Sequence, residues 1–382
     1  MPRVLFLFEY PTLHGGEHSL LSLLAPLIDA GFQPLALAPP AGDLTQALVE
    51  RGVEVRPWPM FDLRGAKRPQ AELRGMLHEE LSRIRPDLLH ANSLATSRLS
   101  GPVAALAGVP SVGHLRDILS LSRAAIGDLN RHTRLLAVSA ATREWHVAQG
   151  VDAAKTFVCY NGVDLEEFRP RPPTGYLHGE LGLGREAQLV ASIGQIGPRK
   201  GLDVTATGME RLASRYPRLH WLIVGERFSQ KAEAVEYERR LHEVAARPRL
   251  AGRVHFLGVR GDVASLLNEL ALLVHAARQE PLGRVLLEAA AAGLPLVATD
   301  VGGTAEILPR GEFADLLIPP DDPDSLTAGV SRLLDNPEDR RRWAIRLRRR
   351  AEEAFDASRA ARGLLEHYRS VLAGQRGRNE FP

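Results

Sequence analysis

Short apolar runs rich in leucine and valine alternate along the chain with segments of helical length. In the first half these runs are VLFLF (4–8), PLALA (34–38), VEVRP (53–57), DLLHA (87–91), SVGHL (111–115) and LLAVS (135–139). The second half repeats the pattern at LVASIG (189–194), HWLIVGE (220–226), VHFLG (254–258), ALLVHAA (271–277), PLVATD (295–300) and DLLIPP (315–320). Strands that alternate with helices are typical of parallel sheets. The pattern predicts an α/β protein with two domains, each built on a parallel, doubly wound sheet.

A segment rich in proline and glycine separates the two halves at FRPRPPTGYLHGELGLG (168–184). The 382 residues are also too many for one ordinary hydrophobic core. We therefore predict a first domain over 1–167, a linker region over 168–186 and a second domain over 187–357. A C-terminal helix at about 358–374 is a candidate to pack back on the first domain. Two such domains in tandem are expected to face each other across a cleft.

Binding residues are expected in the loops after the apolar runs, because ligands of open α/β sheets bind beyond the carboxyl ends of the strands. The first such loop is LHGGEHSLLSLL (13–24), where Gly15 and Gly16 precede a helix and let the backbone approach a ligand closely. Two adjacent glycines are equally consistent with an ordinary turn between a strand and a helix. The G-x-G-x-x-G spacing of dinucleotide-binding loops is absent.

The corresponding loop of the second domain is SIGQIGPRKG (192–201), in which two glycines lead to Arg199 and Lys200. Cations at the start of a helix oppose its macrodipole, so their presence there suggests an anionic ligand. A diphosphate would be stabilised both by the two charges and by the free amides of the helix. A Walker A loop is excluded, because no Ser or Thr follows the lysine and the glycine spacing differs.

The segment EPLGRVLLE (280–288) places a glutamate at each end of what is otherwise the start of a buried helix. Pro281 suits the first helical position, which would put the amides of residues 283–285 near the helix N-terminus. Glu288 would then lie on the order of 12 Å along the axis from Glu280, about the length of a nucleotide sugar from hexose to ribose. One carboxylate could bind the sugar and the other the ribose. The alternative is that Glu288 belongs to a solvated helix face.

A third glycine-rich loop follows the run 295–300 in LVATDVGGTAEIL (296–308). Gly302, Gly303 and Thr304 offer further backbone donors, and Glu306 lies just beyond them. Three loops suited to phosphate binding in one half of the chain favour a phosphorylated ligand.

Composition sets the chain among globular proteins, with 45% hydrophobic and 25% charged residues. The single cysteine, Cys159, cannot form an internal disulfide, which is consistent with a reducing compartment. No apolar run approaches the roughly 20 residues of a membrane span, and 4–8 is too short for a signal sequence. We therefore expect a cytoplasmic protein.

Positive charge is concentrated in RRRWAIRLRRR (340–350), although the formal net charge is only +2. This segment could be a helix that meets anionic lipid at the inner face of the membrane. A solvated helix face is the interpretation we favour, because long arginine stems commonly cover a protein surface.

In combination these motifs are similar to those of the retaining nucleotide-sugar glycosyltransferases of glycosyltransferase family 4, which have two Rossmann-like domains in the GT-B arrangement. The resemblance covers nearly the whole chain. Its motifs are the E-x7-E of Glu280 and Glu288, the basic loop SIGQIGPRKG, the segment VGGTAEI, the early Gly15–Gly16 pair and the sequence N-G-V-D at 161–164. The resemblance implies that the first domain binds the acceptor and the second the nucleotide sugar.

The resemblance also implies roles for individual residues. Arg199 and Lys200 would neutralise the donor diphosphate, Glu280 would contact the transferred sugar and Glu288 the ribose. His114 matches a histidine that contacts the donor sugar, and its alternative is a plain histidine at a strand end. The other expected donor-binding residues are Gly16, Gly194, Leu282, Gly283, Arg284, Val285, Gly303 and Thr304, with Val259 and Arg260 as candidates for contact with the base.

The sequence departs from the family pattern at two places. The usual E-A-M-A after the second glutamate is E-A-A-A at 288–291, and Glu17 directly follows the early glycine pair where the family often has Glu one place later. Asp322 and Asp324 form a D-x-D motif. Motifs of this type bind metal in another glycosyltransferase fold. Pro323 and the helical pattern after it favour acids at a helix start instead, and the family needs no metal.

The resemblance therefore implies a retaining, metal-independent hexosyltransferase that uses a UDP- or GDP-sugar, needs no cofactor and acts on a hydroxyl acceptor. The acceptor could be a sugar, a lipid-linked molecule or a small molecule, as in polysaccharide, glycolipid or glycoside synthesis. No nucleic-acid partner is expected. The alternatives are a nucleotide-sugar epimerase on the same fold and a noncatalytic subunit that binds nucleotide sugars.

Overall fold

A computed structural model of the chain describes residues 1–62 and 64–379. The chain forms two compact units, Met1–Gly162 together with the last helix, and Val163–Asp356. Each of the twelve apolar runs predicted as strands coincides with a strand of the structure, and one further strand at 156–158 was not predicted. The predicted fold class, two α/β units with parallel sheets, is confirmed.

The first unit alternates strands and helices in sequence. Its strands are β1 (Arg3–Leu7), β2 (Gln33–Ala38), β3 (Glu54–Pro57), β4 (Leu88–Ala91), β5 (Ser111–Leu115), β6 (Arg134–Ala137) and β7 (Thr156–Val158). Its helices before the boundary are α1 (Gly15–Leu21), α2 (Leu24–Asp29), α3 (Asp43–Glu50), α4 (Gln70–Ile84), α5 (Leu94–Leu106), α6 (Arg123–Leu129) and α7 (Ala140–Ala148).

All strands of the first sheet are parallel, in the order β3-β2-β1-β4-β5-β6-β7. Side chains of β1 alternate between the two faces, as expected for a strand. Val4 and Phe6 join one core, whereas Leu5 and Leu7 join the core on the opposite face, which also contains Leu77 of α4. Since both faces are covered, the strands are continuously apolar.

The second unit repeats this plan. Its strands are β8 (Gln188–Ile193), β9 (Leu219–Val224), β10 (Val254–Gly258), β11 (Leu272–His275), β12 (Leu296–Thr299) and β13 (Leu317–Ile318). Its helices are α8 (Tyr176–Glu180), α9 (Leu202–Leu212), α10 (Ala232–Ala245), α11 (Val263–Leu267), α12 (Arg284–Ala291), α13 (Thr304–Ile307), α14 (Arg310–Phe313), α15 (Pro323–Asp335) and α16 (Pro337–Ala354). Short 3-10 turns occur at Pro198–Lys200 and Ala314–Leu316.

The second sheet is also parallel, in the order β10-β9-β8-β11-β12-β13. The strand order reverses between β8 and β11, so the connections after these two strands run to opposite sides of the sheet. Ligands of open α/β sheets bind in the crevice that such a reversal creates. The equivalent reversal in the first sheet lies between β1 and β4.

The segment 168–186, predicted as a linker region, belongs to the second unit, whose boundary lies at Val163. Its backbone is fixed by two side chains from the end of α11. Glu269 accepts hydrogen bonds from the amides of Thr174 and Gly175 (2.6 and 2.7 Å), and Asn268 accepts one from the amide of Arg171 (2.7 Å). Proline and glycine content could not reveal these anchors, because they lie more than 90 positions away along the chain.

The last helix, α17 (Ala357–Asn379), belongs to the first unit rather than to the second unit that precedes it. Leu364, Tyr368 and Val371 of this helix lie in the same core as Val4 and Phe6 of β1. The helix therefore completes one face of the first sheet.

The arginine-rich stretch 340–350 lies within α16, and several of its arginines bind backbone carbonyls of the second unit. Arg340 donates to Leu333 and Leu334, and Arg350 donates to the carbonyls of Glu306 and Ile307. Solvation and lipid contact were the two interpretations of this segment. In the structure most of its guanidinium groups donate hydrogen bonds to carbonyl groups of the same unit. No helix in the described residues is long and apolar enough to cross a bilayer.

Arg348 is the most extensively bonded of these arginines. One of its terminal nitrogens donates to the carbonyls of Leu165, Phe168 and Ala291 at 2.8–3.1 Å, and its Nε pairs with Glu352 at 2.6 Å. The guanidinium thereby joins the start of the unit, the end of α12 and α16.

We expect Arg348→Met to lower the free energy of unfolding by about 2–3 kcal/mol, because three carbonyls lose their donor. Arg349→Met is the matched control. Arg349 lies on the same helix, is 63% exposed and pairs with Glu353 at 3.7 Å, so its loss should cost less than about 0.5 kcal/mol. Urea denaturation of both variants checks the difference, and equal costs would contradict the proposed role of Arg348.

Candidate functional site

The loop between β8 and α9 carries the two predicted cations in a short 3-10 turn, Pro198–Lys200. Gly194 (φ +143°) and Gly201 (φ +61°) bracket this turn in a backbone region that favours glycine. A Cβ at Gly201 would lie only 1.9 Å from the carbonyl oxygen of Ala276. Glycine is thus required for the loop to pack against the chain that follows β11.

That packing brings Lys200 to Glu280. The Lys200 ammonium donates to Oε2 of Glu280 at 2.5 Å, and Nε2 of His275 contacts the same oxygen at 2.8 Å. Glu280 and His275 are buried, at 6% and 4% exposure. The two loops at the strand-order reversal of the second sheet therefore meet in a buried cluster of three ionisable side chains.

The cluster holds a buried carboxylate in its charged form. Burial by itself raises the pKa of Glu280, but the Lys200 ammonium and the hydrogen bond from His275 outweigh it, so the pKa lies well below its ordinary range. Burial lowers the pKa of His275, and this shift keeps the imidazole neutral. A neutral imidazole that donates through Nε2–H orients Glu280 without adding charge.

Arg199 lies in the same turn but points differently. Its side chain is exposed, and its guanidinium donates to the carbonyl of Gln279 at 3.1 Å. Close to the paired Lys200, it presents a positive charge to solvent at the strand-order reversal. An anion that binds there would meet Arg199 with little rearrangement of the protein.

Helix α12 begins at Arg284 with Gly283 (φ +101°) as its N-cap, so Pro281 is not its first residue as predicted. Glu280 therefore precedes the helix, and an axial distance from Glu280 to Glu288 cannot be calculated from helical rise. The left-handed cap requires glycine, and the first amides of the helix lack i−4 acceptors. Leu282 and Val285 are buried around this turn.

Glu288 is 8% exposed rather than part of a solvated face. Its Oε1 pairs with Nε of Arg284 one turn earlier at 2.5 Å. Both residues were expected to bind the donor, and the structure brings them together. A hydroxyl group that approaches Glu288 would therefore meet a carboxylate already oriented by an arginine.

The loop after β12 is attached to the Glu280 loop. The amide of Gly303 donates to the carbonyl of Glu280 at 2.9 Å, and α13 begins at Thr304. Thr304 is fully buried, and within the described residues its hydroxyl has no hydrogen-bond partner. The loops after β8, β11 and β12 are thus all connected through Glu280.

Val259 and Arg260, the candidates for base contact, differ from each other. Val259 is 62% exposed. Arg260 forms ion pairs with Glu180 at 2.6 Å and Asp262 at 2.8 Å, and these bonds raise the pKa of its guanidinium. The side chain of Arg260 is therefore committed to a network on the protein, and contact with a base would require its release.

Gly16 and His114 are the expected site residues of the first unit, and both lie next to Arg116. The Arg116 stem passes beside α1, where a Cβ at Gly16 would lie 3.0 Å from its Cδ. Nη2 of Arg116 lies 3.1 Å from Nδ1 of His114, which is 4% exposed at the end of β5. Asn92, after β4, donates to the carbonyl of Gly16 at 3.2 Å.

The D-x-D sequence caps a helix. Asp322 is the N-cap of α15 and accepts hydrogen bonds from the amides of Asp324 and Ser325, each at 3.0 Å. Asp324 pairs with Arg211 at 2.5 Å. Within the described part of the chain, no group of three or more His, Cys, Asp or Glu side chains is arranged to hold a metal ion.

Two family models match consecutive parts of the chain. The model described as Glycosyltransferase Family 4 matches residues 13–167, and the model described as Glycosyl transferases group 1 matches residues 177–350. The D-inositol 3-phosphate glycosyltransferase of Frankia alni is 30% identical over 311 residues, which are 75% of this chain and 75% of that protein. The chain therefore belongs to glycosyltransferase family 4.

Two further similarities extend over almost the whole chain. The phosphatidyl-myo-inositol mannosyltransferase of Mycolicibacterium smegmatis is 28% identical over 95% of this chain and 92% of its own length. The crystal structure of Anabaena HepE in complex with UDP and glucose superposes with a TM-score of 0.83 at 26% identity, covering 97% of this chain and 100% of that one. The fold is that of the GT-B glycosyltransferases.

Several residues that contact the expected site were not predicted from the sequence. His275 ends a strand five positions before Glu280, and the apolar run LLVHAA around it indicated only a strand. Arg116 lies two positions after His114. A polar residue in an otherwise apolar strand end was the available signal for His275. His90 and Tyr368, 278 positions apart, meet only through the fold.

We expect Lys200→Met to lower the free energy of unfolding by about 3 kcal/mol, because the Glu280 carboxylate would stay buried without its cation. Arg199→Met, which removes the exposed neighbour, should cost less than about 0.5 kcal/mol. Denaturant unfolding at neutral pH measures both values, and similar costs would show that the buried pair does not stabilise the fold.

The same experiment has a pH dependence with a definite sign. The pKa of Glu280 is depressed in the folded protein, so its stabilising contribution is fully present above the ordinary carboxyl value of about 4.3 and declines as the pH falls below it. The difference between wild type and Lys200→Met should therefore shrink in acid.

Proposed function

We propose that the protein is a retaining glycosyltransferase that transfers a hexose from a nucleoside diphosphate sugar to a hydroxyl acceptor. The observation that carries this proposal is the cluster at the strand-order reversal of the second sheet. There a buried glutamate, Glu280, is paired with Lys200, and the exposed Arg199 lies in the same turn. Such an arrangement suits a ligand that has both hydroxyl groups and a diphosphate.

Each part of this ligand has a matching group. The diphosphate would bind Arg199 and Lys200 and the first amides of α12, and these groups would stabilise the charge that develops as the sugar leaves. Glu280, held charged by its partners, would accept hydrogen bonds from hydroxyls of the transferred sugar. Glu288, oriented by Arg284, would do the same for the ribose.

The relatives support a choice of donors for testing. The similar HepE structures contain UDP and UDP-glucose, and the mycobacterial relative is a mannosyltransferase. We therefore propose UDP-glucose as the first donor to test and GDP-mannose as the second. Two relatives act, by name, on inositol phosphate or phosphatidylinositol, so a polyol hydroxyl is the acceptor class to test first.

Transfer with retention is tested directly on the product. Proton NMR of the glycoside reports the anomeric configuration through the coupling of its C1 proton. A product with the configuration of the donor supports the proposal, and an inverted product rejects it.

The two glutamates should separate nucleotide binding from catalysis. Glu288→Gln should weaken binding of free UDP about tenfold, because the ribose contact is made in the ground and transition states alike. Glu280→Gln should leave UDP affinity within about threefold of wild type while turnover falls about a hundredfold, since the lost contact is to the group that moves. Calorimetry with UDP beside steady-state rates measures both effects.

If Glu280→Gln loses UDP affinity and Glu288→Gln retains it, the donor is bound in the reverse orientation. If neither variant changes either quantity, the two carboxylates do not bind the donor at all.

Activity should survive removal of divalent ions. The leaving-group charge falls to Arg199, Lys200 and helix amides in this proposal, so no step requires Mg²⁺ or Mn²⁺. Donor turnover should therefore change less than about twofold in EDTA. Loss of turnover in EDTA with recovery on addition of Mn²⁺ would reject metal independence and leave the transferase assignment in place.

A further inference from the structure

His114 lies in a chain of hydrogen bonds that connects β5, β4 and α17 of the first unit. Nη2 of Arg116 lies 3.1 Å from Nδ1 of His114, and Nε2 of His90 lies 3.3 Å from the same atom. The other ring nitrogen of His90, Nδ1, is 2.5 Å from the hydroxyl of Tyr368 on α17. His90 and Tyr368 are both fully buried.

Arg116 sets the donor and acceptor roles in this chain of hydrogen bonds, because a guanidinium has only donors. Arg116 is itself held by Asn92 and Asn161. Its Nε donates to the Asn92 carbonyl (2.9 Å), Nη2 donates to Asn92 Oδ1 (2.9 Å) and Nη1 donates to Asn161 Oδ1 (2.8 Å). Nδ1 of His114 must therefore be an acceptor, since a proton there would face an N–H.

The roles of the two ring nitrogens of His90 follow from the role of His114. If His114 Nδ1 is an acceptor, His90 donates to it through Nε2–H. A neutral His90 then has an unprotonated Nδ1, which accepts the hydroxyl proton of Tyr368. Burial and the nearby Arg116 charge lower the pKa of His90 to about 3, so it stays neutral. In this assignment Nδ1 of His114 accepts from both Arg116 and His90, and Nδ1 of His90 accepts from Tyr368.

The proton of His114 is thereby placed on Nε2. Within the described residues this nitrogen is buried and has no hydrogen-bond partner. A buried donor without a partner costs free energy, and such a group is justified when a ligand supplies the acceptor. Burial together with the Arg116 charge holds the pKa of His114 well below its usual value, so the ring donates as a neutral group.

We propose that Arg116 and the Tyr368–His90 pair are positioning residues that fix His114 as its Nε2–H tautomer, ready to donate to an oxygen of the transferred sugar. The sugar contact rests on the proposed function, whereas the tautomer does not. The C-terminal helix α17 thus contributes to substrate recognition through Tyr368, which acts on His114 by way of His90.

The tautomer is tested first, without any substrate. Long-range proton–nitrogen correlation spectra of protein with ¹⁵N-histidine distinguish the two ring nitrogens, and the His114 signals are those lost in His114→Gln. We expect Nε2 protonated and Nδ1 unprotonated from about pH 6 to about pH 8. A proton on Nδ1, or on both nitrogens, overturns the proposal.

The positioning role is tested next with Arg116→Met and Tyr368→Phe. We expect Arg116→Met to populate the Nδ1–H tautomer of His114 and to lower kcat for hydrolysis of UDP-glucose about tenfold or more, with UDP affinity within about twofold of wild type. Tyr368→Phe should act in the same direction with a smaller effect. Tyr216→Phe, whose hydroxyl bonds Asp335 in the second unit, is the matched control and should change neither spectrum nor rate.

A double-mutant cycle separates positioning from general damage. In a His114→Gln background, Arg116→Met should cause no further loss of kcat, because an amide has no tautomer to fix. Additive losses, or slower turnover in Arg116→Met with an unchanged His114 spectrum, would overturn the positioning role. If wild type turns over neither UDP-glucose nor GDP-mannose, the proposed function fails, while the spectra still decide the tautomer.

Discussion

The burial of one carboxylate, Glu280, sets the constraint on which the second unit is organised. A charged glutamate at 6% exposure is tolerated only with strong partners, and Lys200 and His275 supply them. Their positions depend on two glycines, since Gly194 leaves room for the Lys200 stem and Gly201 lets its loop contact the chain after β11. The carbonyl of Glu280 in turn binds Gly303. The ion pair and this backbone hydrogen bond together link the loops after three strands of one sheet.

In the proposed function, the same pair would prepare the site for a donor before any ligand arrives. A carboxylate that is already charged and oriented needs no proton transfer or reorientation when a sugar hydroxyl approaches it, and preorganisation of this kind reduces the barrier. In the proposed function Lys200 would be shared between Glu280 and an incoming phosphate, whereas Arg199 is exposed. The site thus combines one cation that stabilises the fold with one that is poised for an anion.

Arginine side chains also connect segments within each unit. In α16, Arg340, Arg348 and Arg350 donate to carbonyls that would otherwise end helices or loops without partners. In the first unit Arg116 joins Asn92, Asn161 and His114. A planar group with five donors can bind several acceptors at once. The arginines of a segment with the composition of a basic surface can therefore also stabilise the unit by binding its own carbonyl groups.

The sequence by itself determined the strands, the two α/β units and the glycine-rich loops, because period, apolar content and glycine spacing are local properties of the chain. It also singled out Arg199, Lys200, Glu280 and Glu288 as binding residues, and the chain belongs to the family that its motifs resemble. Only the tertiary structure decided that Lys200 and Glu280 form a pair, that α12 begins at Arg284, and that 168–186 is anchored to Glu269. It also decided that Tyr368 reaches His90 from 278 positions away. Contacts of this kind depend on the distance between side chains in the folded chain, and sequence periodicity carries no information about that distance.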